Sequence, residues 1–205
     1  TIASSSGIVN FNGAIGTTTA LTALTSSTTR AISFGAAVGN STNRLGSVSI
    51  TGPATISGGS VYTSGAQTFS GAVTLGAGTT MDSSAGTINL ANTVDGAFGL
   101  TLNGNTGVTL GGAIGSGNAL TSLDVTGTTA INGSIVTTTG AQNYNSATTL
   151  GADTTFTTTN NAVTFASTLN SSGAARALNV NAGTGAINLN SNVGNTLALG
   201  DISLN

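Results

Sequence analysis

Lysine, glutamate, histidine, cysteine and tryptophan are all absent from this chain, and proline occurs once in 205 residues. Each absence removes a class of chemistry. Without cysteine there are no disulfides and no thiolate metal sites. Without histidine no Ser-His-acid triad forms within the chain, and only oxygen ligands remain for a metal. Without lysine there is no phosphate cradle of the GxxxxGK[ST] type. Charged residues make up 4% of the chain, against about a quarter in an average soluble domain. The net charge of −2 is too small to steer a charged partner. Arg30, Arg44 and Arg176 lie far apart, so no basic stripe marks a nucleic-acid surface. No apolar run approaches the roughly 18 residues of a membrane helix, so no membrane insertion is expected. The opening TIASSSG has neither the basic start nor the apolar segment of a leader, and it does not begin with Met. The chain reads as a piece of something longer, or as processed material.

What is present is not the composition of a disordered chain. Hydrophobic residues are 38% and mean hydropathy is +0.29, whereas disorder goes with low hydrophobicity and high charge. Thr, Val and Ile favour strands, while Gly (31 residues) and Asn favour the turns between them.

The chain also repeats itself. GAQTFSGAVTLGAGTTM (65–81) returns as GAQNYNSATTLGADTTF (140–156), an offset of 75. The register extends both ways. Val48/Ile50 answer Leu123/Val125, Ile56 answers Ile131, Val61 answers Val136, and Ile88/Leu90 answer Val163/Phe165. The super-repeat spans about 32–107 and 108–186. A second motif occurs four times, as VNFNGAIG (9–16), ISFGAAVG (32–39), VTLGGAIG (108–115) and INLNSNVG (187–194).

Apolar-x-apolar pairs run through the whole sequence, and period 2 means a strand with one buried face. Strands of three to five residues are too short to stand as isolated hairpins. An antiparallel sandwich would call for aromatic anchors and a charged outer face, and aromatics are only 4%. A parallel β-solenoid calls for Gly and Asn corners, a narrow aliphatic core and long-range self-similarity. The expected fold is therefore all-β, a single parallel β-helix with roughly 19–25 residues per coil, forming a rod of about 8 to 11 rungs at about 4.8 Å each. The expected core is Val48, Ile50, Phe69, Val73, Leu75, Ile88, Leu90, Val108, Leu110, Ile114, Leu123, Val125, Tyr144, Leu150, Val163, Phe165, Ile187 and Leu189. The 75-residue unit would divide into three or four turns, placing Phe69 and Tyr144, Leu75 and Leu150, and Met81 and Phe156 at equivalent inward or corner sites.

GAQTFSGAVTLGAGTT, the recurring GAIG and LTSLDVTG (120–127) resemble the central repeats of filamentous-haemagglutinin-like bacterial exoproteins. The resemblance covers essentially the whole chain. It implies a right-handed β-helix in a very long surface or secreted protein, often an adhesin, exported by two-partner secretion. The NPNG-type motif of that family's secretion domain is missing here, and NFNG (10–13) is only a partial look-alike.

Catalytic chemistry is not expected. The acids are Asp82, Asp95, Asp124, Asp153 and Asp201, and no two are close in sequence. They read as turn or corner residues, not as a general acid/base pair. No recurring GGxGxD supports a calcium solenoid, and no cofactor or metal is implied. The Thr runs at 17–19, 137–139 and 157–159 are too irregular for a water-ordering face. The sequons at Asn40, Asn132 and Asn170 are of the kind that arise by chance in Asn/Ser/Thr-rich sequence.

Three readings of function follow. The first is a non-enzymatic, protease-resistant rod segment of an extracellular or bacterial cell-surface filament, adhesin or biofilm component. The second is a glycan- or surface-binding module on the solenoid flank. Its candidate elements are the loop GNSTNR (39–44) and, if exposed, Tyr62, Phe69 and Tyr144. The third is a self-polymerising subunit, with Ile202 and Leu204 of one copy meeting Val9 and Phe11 of the next. Expected partners are thus the same chain, its own continuation, or host and matrix glycans.

Overall fold

A computed structural model describes residues 7–205; Thr1–Ser6, read above for a leader, lie outside the described residues. Among the described residues every regular element is a strand, and every strand pairing is parallel. Paired residues are 19 to 24 apart, from Val48 with Gln67 to Leu24 with Val48. The chain is a parallel β-solenoid of about nine turns with three faces.

The first face carries eight strands, starting with Leu24–Ser26, Val48–Ile50 and Gln67–Phe69 and ending with Leu169–Ser171. The second runs from Val9–Phe11 to Val94–Asp95, crosses the single bridge at Ile114, and continues from Ile135–Thr137 to Ile202–Leu204. The third holds seven strands from Ser60–Thr63 to Ile187–Leu189. Each strand is stable because its backbone groups bond to the turns above and below, which a lone three-residue strand cannot arrange.

One apolar column fills the interior. The expected inward residues from Val48 to Phe165 are all at most 2% exposed, while Ile187 and Leu189 are half-buried in an outermost strand. Val9 and Phe11 are half-buried, with the Phe11 ring stacked on Phe34 at 5.8 Å. Ile202 and Leu204 are exposed. All four lie on the second face.

Several threonines also point inward, where an unpaired hydroxyl would be costly. They solve this locally. Thr79, Thr129, Thr148 and Thr154 each donate to the carbonyl two residues back, at 2.9 to 3.2 Å. A threonine entering the first position after a corner thus supplies β-branched bulk and satisfies its own oxygen.

The four GAIG-like motifs are one corner device. Each ends in a glycine in the left-handed region, with φ of 66° at Gly16 and Gly39, 67° at Gly115 and 68° at Gly194. A Cβ would be strained there. It would also lie 2.5 Å from the Tyr62 carbonyl at Gly39 and 2.1 Å from the Thr137 carbonyl at Gly115.

The long repeat does not comprise a whole number of turns. From Gln67 the chain passes sides at 73, 79, 87, 94, 99, 107, 114, 122, 129 and 135 before reaching Gln142. That is eleven sides, or three turns and two thirds. Gln67 and Phe69 therefore sit on the first face but Gln142 and Tyr144 on the third. Leu75 is on the second and Leu150 on the first; Met81 is on the third and Phe156 on the second. This corrects the expectation of three or four complete turns. The corner glycines obey the same rule, since Val38, Ile114 and Val193 bridge on the third, second and first faces in turn. Successive units are related by a screw of one face, not by stacking in register.

Candidate functional site

The third face is the widest. Its strands Thr79–Ser83, Gly99–Gly104 and Ser122–Thr126 have five, six and five residues, against three for most others. Strand alternation puts every second residue on the outer surface, and parallel pairing lines these up in rows. One outer row is Tyr62, Asp82, Asn103 and Thr126. The next is Thr80, Thr101, Asp124, Asn143, Thr164 and Asn188.

The corner beside the first row is uneven, and a groove of about 380 Å³ opens there. Asp82, Ser84, Asn103, Asn105, Thr126 and Ser146 line it, with Ser83, Gly104 and Gly127 at its sides. Ser83 is buried and structurally engaged, donating to the Gly65 carbonyl at 2.7 Å and accepting from the Gly86 amide at 3.0 Å.

On this face the Asp82 charge is matched by a cation, and Asp124 is held by neutral amides. Arg44 forms an ion pair with Asp82, and both side chains are 22% exposed. The same Arg44 nitrogen donates to the carbonyls of Thr63 at 3.2 Å and Asp82 at 3.3 Å, and its guanidinium lies 5.2 Å from the Tyr62 ring centre. The second Asp82 oxygen accepts from the Asn103 amide at 3.4 Å. Two rungs on, Asp124 accepts from Asn145 at 2.8 Å and Asn143 at 3.3 Å, and Asn145 also reaches the Thr126 hydroxyl at 3.3 Å. The result is a ladder of carboxylate, amide and hydroxyl groups along the rod axis.

The other sequence candidates fall elsewhere. Asp95 and Asp153 brace corners. Asp95 accepts from the amides of Gly117 and Asn118, and Asp153 from Ala177. Asp82 and Asp124 share a face but stand two rungs apart, about 10 Å along the axis. Phe69 and Tyr144 are fully buried and offer no stacking platform; Tyr62 alone of the three aromatics reaches the surface. The GNSTNR loop turns its amides inward. Asn40 and Asn43 both donate to the Thr17 carbonyl at 2.8 Å, and Asn40 also accepts from the Thr42 and Asn43 amides. Burial pushes the Tyr144 phenol well above its ordinary range, which keeps it a donor.

Reading the sequence did not join Arg44 to Asp82, which are 38 residues apart. The signal was there in the repeat. At an offset of 75, Arg44 answers Ala119, Tyr62 answers Thr137, Asp82 answers Thr157 and Asp124 answers Ser49. These four departures from small or hydroxyl residues toward charged or aromatic ones meet on a single face. Compared with family models, with curated proteins and with solved structures, the chain matches none.

Proposed function

We propose that this chain is a non-catalytic rod segment of an extracellular or bacterial cell-surface filament. The observation that carries this reading is the rung-on-rung register of the three faces around one apolar column, continuous on the first and third and carried across the second by the bridge at Ile114. In such an array stability grows as a sum over rungs and their interfaces, so added rungs would lengthen the rod in one dimension. Lys and Glu are absent and Arg occurs three times, which leaves few sites for common proteases and suits an exposed fibre. The resemblance of GAQTFSGAVTLGAGTT and GAIG to filamentous-haemagglutinin-like repeats points the same way.

The test is the mass of the native polypeptide under fully denaturing conditions, taken from filaments at the cell surface. A band far above 19.5 kDa is expected. A band near that mass in filamentous material would replace this reading with end-to-end polymerisation of short subunits. Turnover of a polysaccharide by the purified chain, abolished by Asp82→Asn or Asp124→Asn, would overturn the non-catalytic reading.

A further inference from the structure

We propose that the groove on the third face is a binding site for a neutral oligosaccharide lying along the rod axis. The proposal goes beyond the rod reading and does not depend on it.

Four observations converge. First, a segment that serves only as a repeating rod has no need to break its repeat. Here Arg44, Tyr62, Asp82 and Asp124 replace Ala119, Thr137, Thr157 and Ser49 of the other copy and gather on the third face, whereas Asp153, which replaces Gly78, braces a corner elsewhere. Second, the groove of about 380 Å³ is at the lower end of the range of small-ligand sites, room for a short stretch of a chain.

Third, the charge balance selects the ligand. Asp82 is neutralised by Arg44, so the groove presents no uncompensated anion to a cation there. Among the described residues no three acids converge that could hold a metal. Arg44 is occupied by Asp82 and by the Thr63 and Asp82 carbonyls, so it does not stand free for an anionic ligand. What remains toward solvent is a mixture of carboxylate and carbonyl acceptors with amide and hydroxyl donors. A carboxylate or amide side chain can engage two neighbouring hydroxyls at once, and a polyhydroxylated, uncharged molecule uses all of these groups. Fourth, the polar groups recur with the rungs, about 4.8 Å apart along the axis. That step is comparable to the length of one sugar ring, so successive rings would meet Asp82, Asn103 and Thr126 in order.

The Asp82–Arg44 pair then has a defined part. The guanidinium orients the carboxylate, and the other Asp82 oxygen accepts from Asn103. Asn105 and Thr126 are exposed on the rim and are the groups most available to a ligand.

The experiment is an amide NMR titration of the whole chain with four neutral hexasaccharides: cellohexaose, xylohexaose, maltohexaose and mannohexaose. Hexagalacturonate and calcium chloride alone are separate arms. At least one neutral sugar is expected to shift the Asn103, Asn105 and Thr126 backbone amides together with the Asn103 and Asn105 side-chain amides. Thr126→Phe, which fills the groove from an exposed strand position where an aromatic is well tolerated, is expected to abolish these shifts without lowering the melting temperature. Asn105→Ala is expected to weaken binding by about fivefold or more, in line with the loss of one hydrogen bond. The proposal is overturned if none of the four neutral sugars produces shifts or if the shifts fall on another face. It is equally overturned if Thr126→Phe leaves binding intact, or if only hexagalacturonate or calcium perturbs the groove.

Discussion

The segments around Gln67 and Gln142 share a sequence pattern but lie on different faces, and their interiors differ in a telling way. Both glutamines are fully buried, and each makes the same three contacts. The Gln67 amide donates to the Val61 carbonyl, the Thr63 hydroxyl and the Asp82 carbonyl, at 3.0 to 3.2 Å. The Gln142 amide donates to Val136, Thr138 and Thr157 in the same order, at 2.9 to 3.2 Å. Each glutamine thus pins a corner to the next rung. The threonine in each pin returns its own proton to the carbonyl two residues on, Gly65 in one copy and Gly140 in the other. The pin is indifferent to which face it occupies because every atom it needs comes from its own corner or the rung beside it.

What surrounds the pin is not conserved between the copies. In the second, the Tyr144 hydroxyl donates to the Gln142 side-chain oxygen at 3.3 Å. In the first, Phe69 stands in that place and the Gln67 oxygen is buried with no partner. The second copy also has an aromatic cluster. Tyr144 stacks on Phe165 at 4.8 Å, and Phe156 meets both edge-on at 5.6 and 5.2 Å. The first copy fills the matching positions with Phe69, Met81 and Leu90. The core therefore tolerates exchange of bulky residues as long as the inward register is kept, whereas the polar pin is retained because an unmade buried hydrogen bond is expensive.

The largest effect should come from charge in the column. Leu75→Asp and Leu150→Asp should each cost several kcal/mol, since an unpaired buried charge has no compensation. Urea unfolding checks this, and comparable losses are expected because both positions are equally enclosed. If one variant keeps its midpoint, the two copies are not structurally equivalent.

Breaking the pins separates the copies. Gln142→Leu should cost about 1–3 kcal/mol, and Gln67→Leu less. The latter also removes an oxygen that is already unpaired, whereas the former strands the Tyr144 hydroxyl. Equal losses would contradict the pairing described here.

Alkaline titration is the next test. The folded pKa of Tyr144 is raised, so its contribution is fully present below the unfolded value near 10 and is lost as pH rises through the folded one. Stability should therefore fall above about pH 10 with a slope approaching roughly 1.4 kcal/mol per pH unit. Unfolding of Tyr144→Phe as a function of pH should lack that component. The smallest effects concern the hydroxyl itself. At neutral pH Tyr144→Phe should cost about 1 kcal/mol, and Phe69→Tyr should recover up to about 1 kcal/mol by satisfying Gln67. A loss in the second variant would mean that the first copy lacks room for the oxygen.

Much of this was legible in the residues. Alternation in pairs such as Val73/Leu75 and Ile88/Leu90 marks the inward positions directly, because side chains on a strand have period 2. The four GAIG-like glycines mark corners because only glycine adopts their φ without strain. The candidate groove was not visible in the same way. Tyr62, Asp82, Asn103, Thr126 and Ser146 are about 20 residues apart, and nothing in their local spacing says that they form one surface. Of these, Tyr62 and Asp82 are marked by their departure from the repeat, whereas Thr126 answers Thr51 and carries no such mark.

Alternation and self-similarity along the chain were enough to settle a parallel solenoid with a thin apolar interior, because both are local properties carried by each short strand. Which face each strand joins was decided only in the folded rod. That depends on how many sides the chain turns between two copies, and corners such as Gly39 and Gly115 are shaped by carbonyls one rung away, those of Tyr62 and Thr137. Eleven sides distributed over three faces give a remainder, so identical segments point in different directions, and residues with no sequence relation come to share one groove.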